Sequence, residues 1–414
     1  MQQRYNIICL SNQLWDTTSP TNKHHVMYRL AKLGHNVLYC DPPINTGRVF
    51  IKQWQYGWWS AKRLLTQTKV DESGILVYTP LNVVPVSHIT SLLHISKINA
   101  LAKKHLDPNL KTILWIYHVQ IASLQNYLAK INHDILIYDC VDNYETFAPG
   151  NKLYGTSAGN VAAQEELLAR TADLVFTVTP MLVEKLSKYN PKVYWTPNAG
   201  DFELFKDSKK YKFQLPKDVE GITRPRIGYI GALDDYKFDV GLVKRLALDY
   251  PNYSFVLVGP LALKSENASL KDLGLADLKN VFYLGPKPYS LKKYYLAGFD
   301  AEIIPFQLND YTINSYPVKF HDSLAAGLPV ITTNLPAFSP FKEVAYVSKN
   351  HDEFSRNLKL ALEEDSPARM KRRQEVAKLN SWEYAHFVRS KFFTAWGNGT
   401  ARFGLGLRNV EKRA

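Results

Sequence analysis

The chain has 414 residues, 46% of them apolar and 21% charged, with a formal net charge of +13. That balance excludes a disordered chain and a bundle of membrane spans, and the length calls for two domains around separate cores. Three scattered cysteines, Cys9, Cys40 and Cys140, exclude a disulfide framework and offer no zinc spacing. No long apolar run opens the chain, so a cytoplasmic location is expected.

In chain order, the first half alternates β-branched runs with helical patterns. Strands are expected at 5–11, 35–41, 74–80, 112–118, 134–139, 173–178 and 192–195, with helices near 22–33, 89–105, 120–131, 159–171 and 180–189. Continuous apolar strands between amphipathic helices predict a parallel sheet covered on both faces. Residues 73–96 contain no Asp, Glu, Lys or Arg, but Pro80 and Pro85 argue against a spanning helix there. The second half repeats the plan, with strands at 226–232, 253–259, 280–285, 299–306, 329–333 and 343–348 and helices near 238–249, 290–297, 317–326 and 351–364. A turn-rich stretch, 198–213, sets the expected boundary between 205 and 206. Helical patterns close the chain at 367–379 and 382–397, ahead of a basic tail at 401–414.

The charge is uneven. Residues 369–414 carry eleven Lys or Arg against three acids, and from Pro42 to Val70 there are five bases and no acid. In that second stretch Lys52, Lys62 and Arg63 are interleaved with Trp54, Trp58 and Trp59. Aromatics beside bases suit an anionic membrane surface; packing on the domain itself or nucleic acid are the alternatives. No nucleic-acid-binding signature accompanies the patch, so no nucleic acid partner is expected.

The most informative segment is NSYPVKFHDSLAAGLPV, Asn314 to Val330. It sets Lys319 and Asp322 in the first turns of a helix that a Gly-Leu-Pro stop ends. A helix start offers free N–H groups and a positive dipole end, and Lys319 adds a cation for the same anion. Asp322, one turn on, has the chemistry to accept from a sugar hydroxyl. A surface ion pair on an ordinary amphipathic helix would read the same way.

Four segments in the same order resemble the GT-B glycosyltransferases, in particular the family-four-like group that includes teichuronic acid biosynthesis glycosyltransferases. They are HHVMYRLAKLGHNVLYCD (24–41), ADLVFTVTPMLVEKL (172–186), WTPNAGDFELF (195–205) and PVKFHDSLAAGLPVITT (317–333). The resemblance implies an α/β protein of GT-B fold: two Rossmann-like, doubly wound domains with an interdomain cleft, the helix at 382–400 packing back on the first. It further implies retaining transfer of a sugar from a nucleoside-diphosphate donor such as a UDP sugar. No metal and no cofactor are implied beyond that co-substrate. The acceptor implied is lipid-linked or polysaccharide, in cell-surface glycan synthesis, with the enzyme peripheral on the inner face of the membrane.

By the same likeness, Lys319 contacts the diphosphate and Asp322 takes the place of a ribose-binding Glu. Gly231 approaches the phosphates, Lys237 assists, and Pro286 and Tyr289 lie by the base. Asn314 and Ser315 precede the phosphate helix. Asn314 stands where the family carries an acid, which implies an altered donor preference. Ala232 stands where many relatives carry a phosphate-binding arginine.

On the acceptor side, Asn12 and Trp15 follow the first strand, His118 follows the fourth and Asp142 the fifth. His118 and Asp142 join Lys319 as catalytic candidates. Glu165 and Glu166 are expected to be solvated on their helix, with one of them reaching the cleft as the alternative. A GT-B nucleotide-sugar 2-epimerase, or a non-catalytic relative that binds sugar or lipid surfaces, remains open as an alternative.

Overall fold

The computed structural model describes residues 3–17, 20–45, 66–82, 88–146, 158–263 and 268–384. They form two compact units that divide between Pro197 and Asn198.

In the first unit eight strands make one sheet: β1 (Asn6–Leu10), β2 (Asn36–Cys40), β3 (Thr68–Val70), β4 (Leu76–Tyr78), β5 (Thr112–Ile116), β6 (Ile135–Cys140), β7 (Leu174–Thr177) and β8 (Val193–Trp195). Their order is β8-β7-β6-β5-β1-β2-β4-β3. Every pair is parallel except β3–β4, where Thr68 faces Tyr78. β1 and β5 are buried nearly throughout, because helices cover both faces. Those helices are α1 (Asn22–Lys32), α2 (His88–His105), α3 (Leu124–Lys130), α4 (Ala158–Thr171) and α5 (Pro180–Ser187). α5 starts where its chemistry directs: the Thr179 hydroxyl accepts from the Leu182 N–H and Pro180 follows the cap.

The second unit carries six parallel strands, β9 (Arg226–Ile230), β10 (Ser254–Val258), β11 (Val281–Gly285), β12 (Ala301–Ile304), β13 (Val330–Thr333) and β14 (Tyr346–Ser348), in the order β11-β10-β9-β12-β13-β14. Its helices are α6 (Val240–Asp249), α7 (Lys292–Gly298), α8 (Val318–Ala325), α9 (His351–Glu363) and α10 (Pro367–Leu379). α8 ends at Gly327, φ +77°, where Leu328 N–H bonds Ser323 O and Gly327 N–H bonds Leu324 O. That pair of bonds is what a glycine in the left-handed region provides, so the Gly-Leu-Pro stop works as read.

In both sheets the chain runs outward from a first central strand, then returns to its other side. The reversal lies between β1 and β5 in the first unit and between β9 and β12 in the second. Ligands of open α/β sheets bind beyond the strand carboxyl ends at such reversals.

Every expected strand and helix within the described residues is present, with ends shifted by a few residues. The division precedes the expected 205/206 because residues 198–205 are tied to the second unit. Asn198 Nδ2 donates to Tyr316 O (2.9 Å) and Gly200 N–H to Asn380 O (3.0 Å). The helix expected at 382–400 beyond Tyr384, the basic tail, and the patch of Lys52, Trp54, Trp58, Trp59, Lys62 and Arg63 lie outside the described residues. No helix among the described residues is long and apolar enough to cross a membrane. The three cysteines are free and buried.

Candidate functional site

In the second unit the strand reversal brings together the turn after β9, the end of β12 and the start of α8. Gly231 opens the first of these, and its N–H bonds Val258 O (2.8 Å). Gly259, φ +145°, leans on it from the turn after β10: a methyl there would lie 2.0 Å from the Gly231 carbonyl oxygen. Two glycines thus let two turns meet backbone to backbone. α8 begins after Pro317 without a side-chain cap bond, leaving its first N–H groups to the rim.

Lys319 reaches across this reversal. Its Nζ is 4.2 Å from the Tyr229 ring centroid and 5.1 Å from that of Phe306. A methyl on Gly231 would lie 2.1 Å from Nζ, so the ammonium ends over the bare backbone of the turn. Two ring faces hold the cation without neutralising it, at about 0.5–2 kcal/mol each. No carboxylate among the described residues lies within ion-pair distance of it. Burial, then Lys237 and Lys292 nearby, drive the Lys319 pKa down to about 7, against the opposing pull of Glu302 and Asp234. Clustered, partly desolvated cations are the electrostatic state that an anion relieves.

The other expected donor residues sit around this point with differing freedom. Lys237 pairs with buried Asp234 (3.0 Å), and despite burial that carboxylate holds its pKa above the usual lysine range. Asn314 is buried and donates to Asp310 O (2.7 Å), while Ser315 Oγ donates to Thr312 O (2.8 Å). Both fix the short turn that leads into α8. Pro286 and Tyr289 follow β11; the Tyr289 ring meets Phe205 edge to face at 5.8 Å and lies 5.9 Å from Lys292 Nζ. Lys287, next to them, is turned away to Asp218 (2.6 Å).

Asp322, expected at the ribose, already has partners within the unit. It is 1% exposed, its Oδ2 is 2.7 Å from Lys292 Nζ, and its Oδ1 accepts from the Asp201 N–H (2.9 Å). A shorter side chain than Glu stays inside the unit, where it ties α8 to α7 and to the 200–201 turn.

Sequence reasoning missed four participants. Lys292 holds Asp322; Asp234 holds Lys237. Glu302 lies on β12 with no exposed surface, and burial lifts its pKa to about 7 against the pull of Lys292 and Lys319. Ser323 Oγ is hydrogen-bonded to Glu302 Oε2. An acid inside the apolar run DAEIIPF was the available signal for Glu302.

In the first unit the reversal gathers Asn12, Lys23 and Tyr117, with His118 next in chain. Lys23, also missed, is 4% exposed at the start of α1. Its Nζ donates to Asn12 Oδ1 (2.7 Å) and lies 5.8 Å from the Tyr117 ring centroid. Burial lowers its pKa to about 8, while Asp142 opposes that. His118 is buried, and burial followed by the Lys23 charge lowers its pKa to about 3, so the ring is neutral. Asp142 is half-buried, and its carbonyl accepts from Cys140 Sγ (3.3 Å).

Trp15 is held by partners of its own, and its ring also meets that of His24, next to Lys23, at 5.5 Å. Its N–H bonds Asp41 Oδ1 (2.7 Å), its Nε1 bonds Asp71 Oδ2 (2.9 Å), and its ring packs on Tyr39 at 4.9 Å. Glu165, expected in solvent, is 1% exposed: it accepts from Tyr138 (2.8 Å) and pairs with Lys185 (2.6 Å). Lys185 also holds Asn143 (2.9 Å) and Glu145 (3.1 Å), which fixes the turn that carries Asp142.

The fold is similar to that of known proteins. No protein-family model matches the chain. A putative teichuronic acid biosynthesis glycosyltransferase, TuaH of Bacillus subtilis (strain 168), is 28% identical over 261 residues, a stretch covering 60% of this chain and 64% of that protein. Among solved structures, sucrose-phosphate synthase from Thermosynechococcus elongatus has a TM-score of 0.68 at 13% identity, over 95% of this chain and all of that one. Anabaena HepE in complex with UDP and glucose gives 0.65 at 14% identity, over 94% and 99%. An α,α-trehalose-phosphate synthase (UDP-forming) from Burkholderia vietnamiensis gives 0.64 at 12% identity, over 94% and 99%. In fold, along nearly all its length, the chain is similar to these GT-B proteins, and in sequence it is similar to TuaH over the stretch matched.

Proposed function

We propose that the protein is a glycosyltransferase that takes a sugar from a nucleoside-diphosphate donor, with UDP as the nucleotide, and retains the anomeric configuration. The observation that carries the reading is Lys319: a cation without a carboxylate partner among the described residues, held over the Gly231 turn at the strand reversal. Departure of the diphosphate builds negative charge on the leaving group. A preorganised cation and free N–H groups lower that barrier, and losing one such donor costs about 2.7–4 kcal/mol. UDP appears with HepE and in the name of the trehalose-phosphate synthase, which supports this nucleotide.

Asn12, Lys23 and Asp142 on the first unit supply hydrogen-bonding chemistry suited to acceptor hydroxyls, with His118 as a neutral neighbour. A lipid-linked or polysaccharide acceptor in cell-surface glycan synthesis is consistent with the likeness to TuaH. Peripheral attachment to an anionic membrane rests on the basic and aromatic composition of residues 48–69. Thermal-shift screening with UDP, GDP, ADP and dTDP, followed by assay of the matching sugars with and without acceptor, tests the reading. Stabilisation by UDP is expected; sugar transfer separates this reading from epimerisation of the donor alone.

A further inference from the structure

Glu302 is the most deeply enclosed acid beside the lysine cluster, and nothing in the donor-site reading uses it. Its Oε2 is hydrogen-bonded to Ser323 Oγ, and its Oε1 is buried with no hydrogen-bond partner. Ser323 Oγ also lies 2.8 Å from Lys319 O, one turn back on α8. A hydroxyl has one proton, and a backbone carbonyl only accepts. If Glu302 were ionised, it would be a carboxylate without solvent contact, held by a single neutral hydrogen bond, which costs several kcal/mol. If Glu302 is protonated, every proton has an acceptor. Oε2–H donates to Ser323 Oγ, and Ser323 donates to Lys319 O.

We propose that Glu302 is a positioning residue of the donor site that acts as a neutral acid, bracing the first turn of α8 through Ser323 and leaving the Lys319 charge uncompensated for the incoming diphosphate. The inference rests on the nucleotide-sugar reading of this unit. An ionised Glu302 would compete with the diphosphate for the same lysine; a neutral one braces without competing. The groups facing it are consistent with this. Lys292 on α7 is occupied by Asp322, Tyr229 on β9 lies under Lys319, and Asp322 on α8 adds negative charge that disfavours a second carboxylate. Burial raises the acid to about 7 against the opposing pull of Lys292, the Ser323 hydrogen bond and Lys319.

The test uses the full chain at about pH 6, below that value. Infrared difference spectra between wild type and Glu302→Gln are expected to show the carbonyl band of a buried, protonated carboxyl in the wild type only. In parallel, calorimetric UDP affinity is expected to fall roughly fivefold in Glu302→Leu, the worth of one hydrogen bond. Glu302→Gln is expected to recover most of that loss, because its amide donates to Ser323 as the acid does. A missing band, or a Gln variant as weak as the Leu variant, overturns the proposal. If Glu302→Leu fails to fold, the spectrum and the Gln variant still decide. If the wild type binds no UDP, the nucleotide reading falls, while the infrared band independently reports the state of Glu302.

Discussion

Asp322 Oδ2 lies 2.7 Å from Lys292 Nζ, in a pair with 1% and 10% of the side chains exposed. Such a pair adds little net stability over a well-packed apolar substitute, yet breaking it strands a charge in the interior. Lys292→Met is therefore expected to destabilise the second unit by about 3–5 kcal/mol. Adding Asp322→Leu should restore a substantial part of that loss. Urea unfolding of the two variants checks this; a single variant within about 1 kcal/mol of wild type would show that the pair is solvated.

Nucleotide binding should be linked to a proton. Lys319 has a pKa of about 7, and a bound diphosphate raises it. UDP binding should then take up protons above about pH 7, with affinity falling by at most about tenfold per pH unit. The folded value is lowered from 10.5, so the unfolded chain binds the extra proton between about 7 and 10.5. Across that window the Lys319 contribution makes the protein more stable as pH rises. Calorimetry in buffers of differing ionisation heat measures the uptake, and Lys319→Met should abolish it.

The glycine contact behind the lysine is equally open to trial. Gly259→Ala would place a methyl 2.0 Å from the Gly231 carbonyl oxygen at a φ of +145°. Backbone strain of this kind costs about 1–3 kcal/mol, and relief requires the Gly231 turn to move. Loss of UDP affinity together with a lowered melting temperature is expected. A variant with wild-type affinity would separate the Gly231 turn from the anion site.

Acid should weaken the fold through its histidines. Burial holds His24 and His35 at about 4, and His118 and His321 at about 3. Each is neutral in the folded chain, while the unfolded chain protonates near 6.5. Stability from these groups is present above about 6.5 and is lost as pH falls toward their folded values. Melting temperatures should decline over that range, and His321→Phe should flatten the decline. A melting temperature independent of pH from about 6.5 to 4.5 would contradict this.

The two parallel sheets were legible because continuous β-branched strands and capped amphipathic helices leave few alternatives. Lys319 and Gly231 were legible for a similar reason: a lysine at a helix start and a glycine after a strand each have a local chemical signature. What the sequence hid were long-range pairings. Asp322 has the local signature of a hydroxyl acceptor, but Lys292, thirty residues earlier, captures it inside the unit. Lys23 has no local signature on α1, and only the return of β5 beside β1 encloses it. Trp15 followed a strand end as a cleft residue would, yet Asp41 and Asp71 take both its donors. No periodicity carries such information, because the partners come from elements far apart in the chain.

The most direct trial of the central claim is calorimetric UDP binding to wild type and Lys319→Ala, both verified as folded, alongside turnover of the UDP sugar. Wild type is expected to bind, and the variant to lose tenfold or more in turnover and affinity, about 1.4 kcal/mol at the least. Equal binding and turnover by the two proteins would contradict it and remove the diphosphate from this site.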